Sequence, residues 1–393
     1  MEKMVEDLNT ATQFWVSCLI SFNNVSASLQ ALSTCKAWFI LEMHKSRSVR
    51  SFSSSKTGPF ILFNATAKPL PEGGNIGEVV VFDMAKAELL ELTEKTIPGE
   101  IVSAKGLGAS KGWGIFSDPQ DRCVLITDFM NPWSCKSNPK LFTLPPLTPL
   151  PLCQTDVVWS VAMSSCPDDD QDWVVGIKSL GDQLSFCRPR RDLRWTKIQT
   201  PRGHFPTSNL MYSKRDGRFY LPALGGHHLL SYDLHLDKPE FHELQFRDFP
   251  ESLEPELDLS ELISSSSRTE HLVESPSGDE RFLIKWYANS CLASKKVSYE
   301  TQLFMVFREE ETTEGRLMCY TDDIGDLCIF ISKGEAFCVP ASSFPGLQPN
   351  SIYFIGFGFG VHDLTTRTTT TLQGPKDSLD QVLVPYWFPP SSS

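Results

Sequence analysis

Gly108-Ala109-Ser110-Lys111-Gly112 has the spacing G-x-S-x-G. In acyl-transfer enzymes that spacing lifts a serine onto a sharp turn between a buried strand and a helix, where a histidine and an acid activate it. The surroundings here argue against such an elbow. "SAKGLG" precedes Ser110, and Trp113-Gly114-Ile115-Phe116 continues at once as a strand rather than a helix. The glycines are expected to serve the innermost strand of a sheet, where positive φ and close backbone approach are needed. His204, His227, His228, His235, His242, His271 and His362 sit on turns or alternate along strands, and none stands in an acid–histidine partner motif. Ser110 is read as a turn residue, and no catalytic residue is assigned.

Other chemistry-bearing residues read the same way. His227 and His228 follow Gly225-Gly226, and neighbours on a strand point to opposite faces, so the two cannot share a metal. Asp168-Asp169-Asp170 reads as a solvated loop. "GFGFG" (356–360) lacks the lysine and following helix of a phosphate loop. Trp113, Trp173, Trp195 and Trp286 recur near strand positions and read as packing between sheets. No metal, cofactor or cofactor-binding residue is expected.

Composition narrows the class. The 393 residues are 41% hydrophobic, and 36 Lys and Arg against 48 Asp and Glu leave a net charge of -12. That balance disfavours a protein that tracks nucleic-acid phosphates. No apolar run reaches the ~18 residues of a membrane span. The 11 cysteines are scattered without a C-x-x-C and read as reduced thiols packed in a core.

The chain divides near residue 57. Between Met43 and Pro71 there is no acidic residue, while Lys45, Arg47, Arg50, Lys56 and Lys68 are basic and "RSFSSS" (50–55) resembles the processing region of plant mitochondrial presequences. Residues 43–57 are expected to be a targeting segment of a disordered or weakly helical leader spanning 1–57. Glu2, Glu6 and Asp7 do not suit the start of a presequence, so translation from Met43 is one reading. Residues 7–38, ending in "LQALSTCKAW", are also compatible with a degenerate F-box remnant that lacks the Leu-Pro step.

Residues 58–393 form the second part, an all-β domain. Short apolar strands alternate with Gly, Pro, Asp and Asn, and the acidic "PESLEPELDLSELI" (250–263) is the one expected helix, an exposed excursion. A unit of strand, polar turn and strand returns at Asp83, Asp128, Cys187, Asp233, Arg308 and Asp363, at intervals of roughly 50 residues, the length of a four-stranded blade. Upstream strands such as "GWGIFSD", "DWVVGIKS", "GRFYLPA", "RFLIKWY" and "SIYFIGF" complete the units. A single β-propeller of about six blades, possibly seven, is predicted. Closure is expected from "PFILFN" (59–64) lying beside "GVHDLTT" (360–366).

These stretches, with "LSFCRPRRDLRWTKI" (184–198), "GRFYLPALGGHHLLSYDL" (217–234), "DIGDLCIFISKGEAFCVPASSFPGLQPNSIYF" (323–354) and "PYWFPP", resemble the plant F-box-associated β-propeller family known as domain of unknown function 295, the KIB-type propellers. The resemblance implies a protein-binding propeller. With an intact F-box such a chain would serve as a substrate receptor of a cullin-based ubiquitin ligase bound to a Skp-type adaptor. Because the F-box pattern is broken and a basic leader is present, the resemblance points to an organellar branch: a non-enzymatic mitochondrial scaffold with an unidentified protein partner, and neither nucleic acid nor a membrane span.

Overall fold

In a computed structural model, residues 58–151, 153–168, 172–234, 238–247, 266–293, 296–313, 315–372 and 386–390 are described. The leader and the 250–263 excursion lie outside them. The strands run in chain order through six sheets. The first holds β1 (Phe60–Pro69), β2 (Asn75–Asp83) and β3 (Glu88–Ile97). The second holds β4 (Lys105–Ser110), β5 (Trp113–Ser117), β6 (Cys123–Thr127) and β7 (Leu141–Pro146). The third holds β8 (Gln154–Met163), β9 (Val175–Leu180), β10 (Gln183–Cys187) and β11 (Thr196–Gln199), and the fourth β12 (Met211–Ser213), β13 (Arg218–Pro222), β14 (His228–Asp233) and β15 (Lys238–Glu243). The fifth combines β16 (Gln245–Phe246), β17 (Ser267–Glu274), β18 (Arg281–Ala293), β19 (Lys296–Thr312) and β20 (Gly315–Thr321). The sixth combines β21 (Leu327–Ile331), β22 (Phe337–Pro340), β23 (Ser351–Gly356), β24 (Gly358–Asp363) and β25 (Thr368–Thr371). A last strand, β26 (Trp387–Phe388), returns to the first sheet. The protein is a six-bladed propeller.

Successive side chains on a strand point to opposite faces, and both faces of each blade are apolar. Six buried clusters result, one between each pair of neighbouring blades. Leu107, Trp113, Ile115, Val161, Trp173 and Trp195 lie between the second and third blades. Trp286, Phe304, Ile329 and Phe354 lie between the fifth and sixth. Adjacent residues serve different clusters: Phe60 joins the one toward the second blade and Ile61 the one toward the sixth. The tryptophans expected to pack between sheets do so.

The repeat positions are also structural equivalents. Asp83, Cys187, Asp233 and Asp363 end the strand before a blade's last hairpin, and Asp128 follows it. At Asp83 and Asp363 the carboxylate caps the hairpin, whereas Asp128 accepts from the Lys140 N–H and Asp233 pairs with Arg218. Asp83 accepts from the backbone N–H of Ala85 at 3.0 Å and of Lys86 at 3.2 Å, and Asp363 from those of Thr365 and Thr366 at 2.8 and 3.0 Å. At Cys187 the role passes to Asp192, which accepts from Arg188 N–H at 2.7 Å. Arg308 departs from the pattern, because β19 continues four residues beyond it.

Closure differs from the sequence expectation. β1 pairs with β2 and β26, not with β24; Phe60 lies opposite Phe388 and Ile61 opposite Trp387. The C-terminal "YWF" therefore supplies the innermost strand of the first blade. Trp387 fills the seam between first and sixth blades, and its indole N–H donates to Ile331 C=O at 3.0 Å. Truncating a buried tryptophan costs about 3–5 kcal/mol. Trp387→Ala is expected to lose about that much in equilibrium denaturation, as one cooperative transition; a loss below about 1 kcal/mol would place the closing seam elsewhere.

Candidate functional site

The motif serine stands at the inner end of the second blade. Ser110 ends β4, the turn passes through Lys111 at φ 50° and Gly112 at φ 81°, and Trp113 opens β5. No helix follows, so the elbow geometry is absent. Ser110 is 3% exposed, and its hydroxyl is fully engaged. It donates to a Glu335 carboxylate oxygen and accepts from the Met163 backbone N–H at 3.0 Å.

Glu335 comes from an irregular part of the sixth blade. There the sheet order is β22-β21-β23-β24-β25, with β21 and β23 parallel, so β22 doubles back to become the inner strand. The doubling places the turn 332–336 over the end of the channel. Gly334 lets it sit there, because a Cβ would meet Ala109 C=O at 3.1 Å. Glu335 N–H then donates to Ala109 C=O at 3.0 Å, and its second carboxylate oxygen accepts from Tyr212 N–H at 3.2 Å. Ser332 Oγ accepts from Trp387 N–H at 3.3 Å, and Cys338 Sγ donates to Glu274 C=O at 3.2 Å. Within seven residues the sixth blade thus bonds to the first, second, fourth and fifth, and through Ser110 it is linked to the third. Sequence reasoning missed this strut, since a glutamate in a Gly-containing turn carries no signal of a partner 225 residues away.

The remaining polar candidates do not converge on it. His271 is fully buried, bonded to Thr269 Oγ1 at 3.2 Å, and burial pushes it down to about 3. His362 meets Thr369 Oγ1 at 2.9 Å and burial lowers it to about 4. His242 meets Ser231 Oγ at 3.0 Å on the fourth blade's outer strand. His227 and His228 diverge as expected, one beside Phe246 and the other stacked on Phe241. Asp168 pairs with Lys140; Asp169, Asp170 and His235 lie outside the described residues. Cys187, Cys328 and Cys338 are buried free thiols raised to about 12 by burial. Among the described residues no group of three or more His, Cys, Asp or Glu stands in ligating geometry.

Among the buried charged groups elsewhere are Arg281 and Lys178. Arg281, fully buried, joins Asp216, Glu274 at 3.5 Å and Glu309 at 3.3 Å, with its guanidinium 4.6 Å from the Tyr220 ring centre. Burial alone would raise the Asp216 carboxyl, but the hydrogen bonds from Arg281 and Tyr220 and the nearby arginine charges outweigh it and hold it well below the usual carboxylate range. The cluster fastens the fourth blade to the fifth. Lys178 is buried between the third and fourth blades, donating to Ser179 C=O at 2.6 Å, to Gly181 C=O and to Pro206 C=O at 3.4 Å. Burial pulls it down to about 7.

Two tests follow from these sites. Ser110→Ala leaves Met163 N–H and one Glu335 oxygen unpaired in a buried place, so stability should fall by about 1–3 kcal/mol. Ser110→Ala as stable as wild type would mean that the strut does not brace the ring. For Lys178 the folded pKa lies below the unfolded one, so between about pH 7 and pH 10 the unfolded chain binds the extra proton and stability rises with pH. Denaturation at pH 7 and pH 9 should show wild type gaining up to about 2 kcal/mol more than Lys178→Met over that span. Parallel pH profiles would contradict the buried assignment.

A sequence profile described as the KIB1-4 beta-propeller matches residues 81–379. No curated protein matches the chain. Among solved structures, a protein from Lactobacillus plantarum is similar at a TM-score of 0.37 and 12% identity, over 84% of this chain and 99% of that one. Citrobacter koseri AztD is similar at 0.31 and 11%, over 65% of this chain and 59% of that one. Kuenenia stuttgartiensis hydrazine synthase is similar at 0.31 and 10%, over 73% and 74%. Structural similarities this low carry no argument about ligand or activity. The profile spans most of the blades whose stretches resemble KIB-type propellers, and the chain belongs to the KIB1-4 β-propeller family.

Proposed function

We propose that this chain is a non-enzymatic protein-interaction scaffold that works in the mitochondrion. One observation carries the reading: the polar groups at the mouth of the channel are spent on one another. Ser110, Glu335, Met163 N–H and Tyr212 N–H brace the ring, which leaves recognition to the rim loops that this ring holds rigidly. The hairpin 188–195 on the strut's own rim has the features of a contact loop. Leu193 stands 94% exposed at its tip, flanked by Arg190, Arg191 and Arg194, and Arg188 anchors it to the fourth blade through Leu234 C=O at 2.9 Å. Exposed leucine among arginines suits a partner surface that offers an apolar socket with acidic edges.

The mitochondrial part rests on the acid-free, Ser-rich segment 43–57. A second reading, a cytosolic F-box-type substrate receptor of a cullin-based ligase, rests on "LQALSTCKAW". Fluorescent fusions started from Met1 and from Met43, with N-terminal sequencing of the mature protein, separate the two. Mitochondrial signal and a new N-terminus between residues 43 and 58 are expected. Diffuse signal together with capture of a Skp-type adaptor that depends on Trp38 would replace the scaffold reading by the receptor. Labelling of wild type but not Ser110→Ala by a serine-reactive fluorophosphonate would overturn the non-enzymatic part.

A further inference from the structure

Beside the strut, two neighbouring inner strands depart from regular pairing at one place. β4 shifts register against β5 between Gly106 and Gly108. β8 shifts against β9 between Gln154 and Val158 and again before Ser160, so no residue of β9 stands opposite Thr155, Asp156 or Val157. Just beyond these shifts the two strands abut, since a Cβ on Gly108 would meet Val161 Cγ2 at 2.7 Å. Between the shifts lies a recess lined by residues 105–107 of β4, residues 156–159 of β8 and Lys333 of the strut turn. Its walls are thus the residues that the irregular pairing displaces, and bulges of this kind re-aim side chains beside functional sites.

The charges around the recess are unbalanced. Lys105 opens β4 and is exposed, and its Nζ donates to Asp156 C=O at 2.8 Å. An ammonium has three N–H donors, so that bond leaves two for a ligand. Lys333 is half-buried in the turn 332–336. The carboxylate in the lining, that of Asp156, is paired with Arg122 at 3.2 Å and stands 74% exposed. Three positive groups against one negative contrast with a chain whose net charge is -12. β4 and β8 are also the inner edges of their sheets, and a sheet edge offers N–H groups that form concavities for anions. The recess is narrow and partly open to solvent, which suits a compact ion rather than an extended ligand.

We propose that this recess binds a compact oxyanion of the inorganic phosphate class, held by Lys105, Lys333 and the channel-facing edges of β4 and β8. The cations are lysines, which act as point charges on flexible stems and suit a tetrahedral phosphate. A planar carboxylate is matched better by the fork of an arginine. Inside a channel these charges are less screened than on an open surface, so each counts for more. The proposal goes beyond the scaffold reading and stands without it. The sequence carried no such signal, because neither lysine stands in a glycine-rich loop followed by a helix.

The test uses the full chain in phosphate-free buffer, titrated with inorganic phosphate by calorimetry and by the rise in melting temperature that a ligand of the native state causes. One equivalent should bind, more weakly as sodium chloride is added. Lys105→Gln and Lys333→Gln should each weaken binding at least about tenfold, the effect of losing one hydrogen bond to a charged group. Lys197→Gln should leave it unchanged, because Lys197 lies on the outer strand β11 with its ammonium 3.2 Å from Thr148 Oγ1. Acetate should bind at least about tenfold more weakly than phosphate. Lys105 is exposed, so Lys105→Gln should melt as wild type does without ligand, and it decides the question even where Lys333→Gln disturbs the strut turn. Equal uptake by wild type and folded Lys105→Gln would overturn the proposal, as would equal affinity for acetate or the absence of saturable binding to wild type.

Discussion

No blade of this protein can cover its own sides. Along nearly every inner strand consecutive residues are apolar and buried toward different neighbours, as with Phe60 and Ile61 or Leu283 and Ile284. A two-layer sandwich would satisfy one face of such a sheet and leave the other wet. Stacking around an axis satisfies both, provided the last blade meets the first. Closure is thus a condition for every interface, and two residues of β26 complete it between Ile61 on one side and Ile331 on the other.

The polar core follows from the same constraint. Inner strands of a ring converge at the axis, where their terminal N–H and C=O groups would be left without partners. The doubled-back inner strand of the sixth blade supplies them. Its turn 332–336 reaches across the channel mouth, and Glu335 gathers donors from Ser110 and Tyr212. The stretch 323–354, which lies within the family match, is where the blade abandons regular order. Ser332, Gly334, Glu335 and Cys338 within it brace the ring.

The sequence revealed what is local and concealed what is distant. Asp83 and Asp363 were legible because one carboxylate caps a hairpin two or three residues away. Strands such as "GWGIFSD" and "RFLIKWY" were legible because their length and composition suit a doubly buried strand. The closing strand was misplaced because "YWF" is too short to show a period, while "GVHDLTT" has the look of an edge. Ser110 closes a turn between two strands, yet its role as a bracket depends on a glutamate 225 positions later. Likewise Lys105 and Lys333 line one recess because the turn of the sixth blade bonds to the second through Ala109 C=O.

Native-state hydrogen exchange on the intact chain tests the mutual shielding of blades most directly. The second strands of the six blades counted from the axis, β1, β5, β9, β13, β18 and β21, should open together, with one common free energy and one common denaturant dependence. A ladder of separate opening energies, with some blades exchanging while others stay protected, would mean that blades stand alone and that ring closure is not what holds them.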